Sequence, residues 1–79
     1  MLKGSCLCGN VRYEVSGPLG PMVYCHCSQC RKASGSSFTT NASIAVEHFR
    51  FTHGAELLRE HQSSPGVRRC FCGECGSPI

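Results

Sequence analysis

Cys6-Leu7-Cys8-Gly9-Asn10-Val11-Arg12-Tyr13-Glu14-Val15 is the stretch on which the fold turns. It opens with two thiols one residue apart, a spacing that lets a tight turn present both sulfurs to a single ion with little backbone strain. From Val11 to Val15 it alternates apolar and polar side chains, the period-two pattern of a half-buried strand. A thiol-bearing turn leading into a strand is therefore the first unit. The cysteine grammar recurs further on: Cys25-His26-Cys27-Ser28-Gln29-Cys30 and Cys70-Phe71-Cys72-Gly73-Glu74-Cys75 share the spacing C-x-C-x-x-C. Two such pieces are too few for a repeat array. All eight cysteines of the 79 residues fall in these three clusters.

A chain of this length buries too little apolar surface to offset the entropy of ordering its backbone, so disulfides, a metal or a partner subunit must help hold it. Met1-Leu2-Lys3-Gly4 runs straight into the cysteines with no apolar leader, and the expected compartment is the cytoplasm. There thiols stay reduced, which points the clusters toward metal or catalysis rather than disulfides. No apolar run approaches the length of a membrane span. The formal charge of +3 counts thiols as neutral. Seven ligating thiolates and two Zn²⁺ would bring it close to zero, which removes most of the electrostatic case for a nucleic-acid partner.

Outward from the first strand, Ser16-Gly17-Pro18-Leu19-Gly20-Pro21 is a turn, and Met22-Val23-Tyr24 is a second short strand that delivers the chain into Cys25. Ser28 to Ser34 is expected to form a helical turn before Gly35. Phe38 to Val46 is rich in β-branched residues, Glu47 to Thr52 alternates, and Ala55 to His61 reads equally as strand or helix. Ser63-Ser64-Pro65-Gly66 is a turn before a last strand over Val67 to Phe71. The expected class is all-β in one zinc-binding unit over residues 1–79. Phe38, Phe49, Phe51 and Phe71 are the expected core aromatics, and His48, His53 and His61 are scattered surface or hydrogen-bonded residues.

A closed structural zinc site takes four ligands. The most economical pairing joins Cys6 and Cys8 with Cys72 and Cys75, stapling the two ends of a chain whose core is small. Cys25, Cys27 and Cys30 then form a second site, and three protein ligands leave a position open for substrate. The alternative is that Cys70 or a histidine completes that site and leaves it structural. His26 is poorly placed for this role, because strand-like geometry would aim its ring away from a metal bound by both neighbours. Four thiolates also suit iron, although the spacings are closer to zinc ribbons than to ferredoxins.

The chain resembles the glutathione-dependent formaldehyde-activating enzymes and their relative centromere protein V. Gly4 to Val15 is similar to the opening motif of that family, Cys25 to Phe38 to its central motif, and Phe71-Cys72-Gly73-Glu74-Cys75-Gly76-Ser77-Pro78 to its closing motif. The resemblance implies a zinc-stapled β tent similar to that of methionine sulfoxide reductase B. It also implies two zinc ions, one structural at Cys6, Cys8, Cys72 and Cys75, and one exchangeable at Cys25, Cys27 and Cys30. Cys70 lies outside the family's ligand motifs. Relatives continue past the position of Ile79, so the resemblance covers about the first three-fifths of a full domain and implies C-terminal strands beyond this chain. An open sheet edge would call for an oligomer.

The implied activity is that of a carbon–sulfur lyase, forming or cleaving S-hydroxymethylglutathione, with glutathione as co-substrate and a small thiol or aldehyde as partner. Cys25, Cys27 and Cys30 would be the catalytic ligands, since a trithiolate zinc is soft and favours a further sulfur. Arg31 and Lys32 follow directly, and either bind a glutathione carboxylate or balance the charge of the thiolates. Arg68 and Arg69 are expected to be solvated or charge-balancing. The competing reading is a non-catalytic zinc module that binds protein or nucleic acid.

Overall fold

The computed structural model describes Met1 to Ile79. Seven strands and one short helix make up the molecule, in keeping with the all-β expectation. Strands β1 (Leu2–Ser5), β2 (Arg12–Val15) and β5 (Phe49–His53) form an antiparallel sheet in the spatial order β1-β2-β5. Strand β3 (Met22–Cys25) pairs with β4 (Thr39–Ala42), and helix α1 (Ser28–Ser34) lies in the connection between them. Strands β6 (Leu58–Ser64) and β7 (Val67–Cys72) form a hairpin around Pro65 and Gly66. Single 3₁₀ turns at Val46–His48 and Ala55–Leu57 lead into β5 and β6.

The alternation over Val11 to Val15 places Tyr13 opposite Phe51 and Val15 opposite Phe49 on the neighbouring strand. Tyr13 stacks on Phe49 at a centroid distance of 5.2 Å, and Phe49 meets Phe51 edge-on at 5.0 Å. The ambiguous stretch after Gly54 resolves into both elements, a 3₁₀ turn and then a strand from Leu58. Strand β1 carries no period-two signal, since Gly4 and Ser5 are weak strand formers. Pairing with β2 imposes its extended form, with Leu2 opposite Val15 and Gly4 opposite Tyr13.

Only five of the 79 residues are buried, and three of them are thiols: Cys6, Val11, Val15, Cys30 and Cys72. The expected aromatic core is therefore corrected. Phe38 is exposed and Phe49, Phe51 and Phe71 are half-buried. Phe49 lies against Tyr13 and Phe51, and Phe38 against Tyr24 and His26, with none of the rings fully buried. The tightest packing is instead around Cys6, Val11 and Cys72, against which Phe51, Leu57, Leu58, Cys75 and Ile79 pack. With so few fully buried aliphatic side chains, each adding about 1.5–3 kcal/mol, apolar burial alone is a weak anchor for this fold.

Gly54 marks the point where the chain leaving β5 passes over the first cysteine turn. Its φ is +71°, and a Cβ there would overlap the Asn10 carbonyl. Gly66 in the β6–β7 turn has a φ of +77° with open space around it. Gly54→Ala should thus cost well over the roughly 1–2 kcal/mol expected for a left-handed alanine, whereas Gly66→Ala should cost about that much and no more. Urea denaturation of the two variants measures the difference, and equal losses would contradict the close approach.

Candidate metal centres

Two groups of sulfur atoms stand apart from everything else in the molecule. In the first, the Sγ atoms of Cys6, Cys8, Cys72 and Cys75 all lie within 4.8 Å of one another. Cys6 and Cys8 come from the turn after β1. Cys72 ends β7, and Cys75 lies in the turn that follows. The Cys6 and Cys8 sulfurs are 3.5 Å apart, and those of Cys8 and Cys72 are 3.9 Å apart. Disulfide sulfurs sit at about 2.05 Å, and all eight cysteines are free. Four thiolates around zinc with bonds of about 2.3 Å are separated by about 3.8 Å, so this donor set fits the ion in number, chemistry and spacing.

The backbone is folded to serve those sulfurs. The Val11 amide donates to Cys6 Sγ at 3.3 Å and the Glu74 amide donates to Cys72 Sγ at 3.4 Å. Each turn is closed beneath its cysteines, by Gly9 N–H to the Cys6 carbonyl at 3.1 Å and by Gly76 N–H to the Cys72 carbonyl at 2.8 Å. Gly76 reaches its carbonyl with a φ of +76°, a conformation that glycine adopts without strain. Burial opposes charge on Cys6, but the Val11 amide and the neighbouring thiols outweigh it and bring the thiol from 9.0 down to about 6. The Asn10 amide favours the thiolate of Cys8, yet its neighbours, Cys6 foremost, push it up to about 12. Four sulfurs this close cannot all ionise without a cation among them.

The second group contains Cys25, Cys27 and Cys30, again within 4.8 Å. Cys25 ends β3. Cys27 caps helix α1, its sulfur accepting from the Cys30 amide at 3.4 Å, and Cys30 lies in the first turn. Cys30 is buried while Cys27 is exposed, so the group opens on one side. Cys25, then Arg69, Thr39 and Cys27, hold the Cys30 thiol down at about 6. Neither His26 nor Cys70 belongs to this group. The His26 ring leans on Phe38 at 5.3 Å. Cys70 lies in the wall of a cleft of about 560 Å³ shared with Ser34, Thr39, Arg69 and Pro78. Three soft donors with an open side fit a zinc ion that keeps a position for an incoming ligand.

The cations are placed unequally. Arg31 and Lys32 both lie on the exposed surface of α1, and Lys32 borders a cleft of about 320 Å³ shared with Gln29, Ala33, His61, Ser63 and Arg69. Arg68 meets Glu60 at 3.8 Å and borders the larger cleft of about 560 Å³. Of the two arginines expected to be solvated or charge-balancing, Arg69 is the one that meets a sulfur. Its Nη2 approaches Cys30 Sγ at 3.7 Å while its Nε donates to Ser63 Oγ at 2.9 Å. Strand alternation implied that Arg68 and Arg69 face opposite ways, but nothing local indicated which one would meet the helix.

Fold and sites together define a small β protein organised around two thiolate clusters. The sequence profile of the glutathione-dependent formaldehyde-activating enzymes matches residues 1–79, and the chain belongs to that family. It is 39% identical over 87 aligned positions to a Halomonas elongata protein whose name provisionally assigns it the same activity; the match covers 100% of this chain and 54% of that protein. The chain thus spans about half the length of this curated relative. It also superimposes on a crystal structure of a Rhodobacter sphaeroides protein with a TM-score of 0.81 at 30% identity, covering 99% of this chain and 71% of that one. No helix is long and apolar enough to cross a membrane.

Metal analysis of the purified protein should find two zinc ions per chain. Cys6→Ser should lose one of them and unfold the chain or lower its midpoint steeply, because Cys6 is itself buried in the best-packed region. Cys27→Ser should lose one zinc while the circular dichroism spectrum stays native. Equal effects on folding would contradict the difference between the clusters.

Proposed function

We propose that this chain carries the thiol-activating centre of a zinc-dependent carbon–sulfur lyase that joins glutathione to formaldehyde as S-hydroxymethylglutathione, or reverses that step. The observation that supports it is the asymmetry of the two clusters in donor number: four sulfurs from both ends of the chain gather in one, and three from a single short stretch gather in the other. In this reading Cys6, Cys8, Cys72 and Cys75 hold a structural zinc, and Cys25, Cys27 and Cys30 hold an exchangeable one. Zinc at the second cluster would supply a soft Lewis acid that lowers the pKa of an arriving thiol and so favours the nucleophilic thiolate.

The chain's own residues do the rest. Helix α1 fixes two of the three sulfurs relative to each other, through the Cys30 amide on Cys27 Sγ. Arg69 offsets negative charge at Cys30 from within the β6–β7 hairpin, held in place by Ser63. The exposed side at Cys27 admits the thiol and the aldehyde. In the forward direction a sulfur–carbon bond forms at the formaldehyde carbon, the carbonyl π pair moves to oxygen, and the thiol proton ends on that oxygen as the hydroxyl. The reverse step breaks the same bond and returns the proton to sulfur. No redox partner is needed.

X-ray absorption at the zinc edge tests this, with the two sites averaged. Without glutathione the mean sulfur count per zinc should be 3.5, three and four averaged as the donor sets imply. With glutathione it should rise to about 4, as a tetrahedral ion gaining one sulfur requires. A count of four sulfurs throughout, unchanged by glutathione, would favour the non-catalytic zinc module instead.

A further inference from the structure

The three central sulfurs are close together but unequally covered. Cys25, Cys27 and Cys30 hold their Sγ atoms within 4.8 Å of one another. Cys27 is exposed, Cys25 is half-buried and Cys30 is 8% accessible. A small oxidant arriving from solvent therefore meets Cys27 first. The fate of that sulfur then depends on which neighbouring thiolate can reach it.

The backbone decides between the two neighbours. Cys25 ends β3, and Cys27 is extended with a φ of −63° and a ψ of 159°. Residues two apart on an extended chain are separated by about 6.6 Å at Cα, close to the upper limit of about 6.8 Å for a disulfide. Cys27 and Cys30 instead lie across the first turn of α1, where side chains three apart are neighbours. The Cys30 amide already holds the Cys27 sulfur over that turn at 3.4 Å. Arg69 Nη2, 3.7 Å from Cys30 Sγ, supports negative charge on Cys30 as the attacking sulfur.

The outer cluster is the poorer dithiol. Its exposed sulfur, Cys8, has Cys6 at 3.5 Å and Cys72 at 3.9 Å, and these are 3% and 0% accessible. Cys6 is again only two residues away along the chain. Drawing Cys72 in to the roughly 2.05 Å of a disulfide would shift two facing turns in the best-packed part of the molecule.

We propose that Cys27 and Cys30 are a reversible oxidation site for hydrogen peroxide, and that their disulfide empties the central metal centre while the outer one persists. The Cys27 thiolate attacks one peroxide oxygen and the O–O bond breaks, giving the sulfenic acid and, with a proton, one water. The Cys30 thiolate then attacks the Cys27 sulfur, the S–S bond forms, and the departing hydroxide takes a proton as the second water. Two electrons pass from the two sulfurs to the peroxide. Cys25 is left as a lone ligand, too few to retain zinc. A thiol reductant reverses the step by exchange. The inference needs only the three sulfurs and stands whether or not the centre activates a thiol substrate.

The test treats reduced, zinc-loaded protein with hydrogen peroxide, follows released zinc with a chromogenic chelator, and maps disulfides by mass spectrometry after thiol alkylation. One of the two zinc ions should be released, in step with a Cys27–Cys30 disulfide, while the circular dichroism spectrum stays native. Dithiothreitol and added zinc should restore the starting state. Cys25→Ser should still form the disulfide, whereas Cys30→Ser should let Cys27 proceed to the sulfinic acid. Release of both ions together, a disulfide from Cys27 to Cys25 or one at Cys8, or sulfinic acid at Cys27 of the wild-type protein would overturn the proposal. The disulfide map decides it even if the central cluster holds no zinc.

Discussion

Four sulfur atoms brought together from opposite ends of the chain are the constraint on which everything else depends. Cys8 and Cys72 are 64 positions apart in sequence and 3.9 Å apart at sulfur. Holding them there fixes β1 and β2 against the end of β7, and the most buried residues, Val11 and Cys72, lie at that junction. The usual order of causes is thus inverted. In a larger domain a hydrophobic core positions the ligands, whereas here the ligand cluster supplies most of the core. A shared cation would turn four mutually repelling thiolates into a single cross-link, and loop closure over so long a segment is where a cross-link contributes most.

The two clusters use the same residue in different backbone settings, and the difference separates their chemistry. At the first, two turns face each other, amides from Val11 and Glu74 donate to two of the sulfurs, and four donors make up a full tetrahedral set. At the second, one strand end and one helix start supply all three sulfurs from a short stretch, so no opposing turn completes the set. Beside it, Arg69 reaches from β7 to Cys30 alone of the three sulfurs, at 3.7 Å. That guanidinium ties the central cluster to the β6–β7 hairpin, and it brings positive charge to the place where a thiolate would have to sit.

Much of this was legible in the sequence, for reasons that can be named. Closely spaced cysteines favour a common centre, so joining the two outer clusters was the most economical pairing, and Cys6 and Cys8 do meet Cys72 and Cys75 in space, while Cys70, just as near to Cys72 in sequence, stays outside. The period-two run at Val11 to Val15 and the helix ahead of Gly35 were local signals and fall where local physics puts them. What was hidden is non-local. Strand β1 exists because β2 pairs with it, not because Leu2 to Ser5 favours extension. The aromatic residues look like core because they are large and apolar, but none is fully buried, and of the four phenylalanines only Phe51 packs against the Cys6, Val11 and Cys72 cluster. Arg69 differs from Arg68 only in which side of β7 it emerges from, and that side acquires meaning once α1 is placed beside it.

Cadmium replaces zinc at thiolate sites and reports its sulfur count through its NMR frequency, so a ¹¹³Cd spectrum of the substituted protein tests the central claim directly. The account predicts two resonances of equal intensity, one in the tetrathiolate range and insensitive to added thiol, the other in the trithiolate range. A single resonance, or two in the tetrathiolate range, would contradict the division into one closed and one open centre. An absence of bound cadmium in fully reduced, folded protein would remove the cross-link itself.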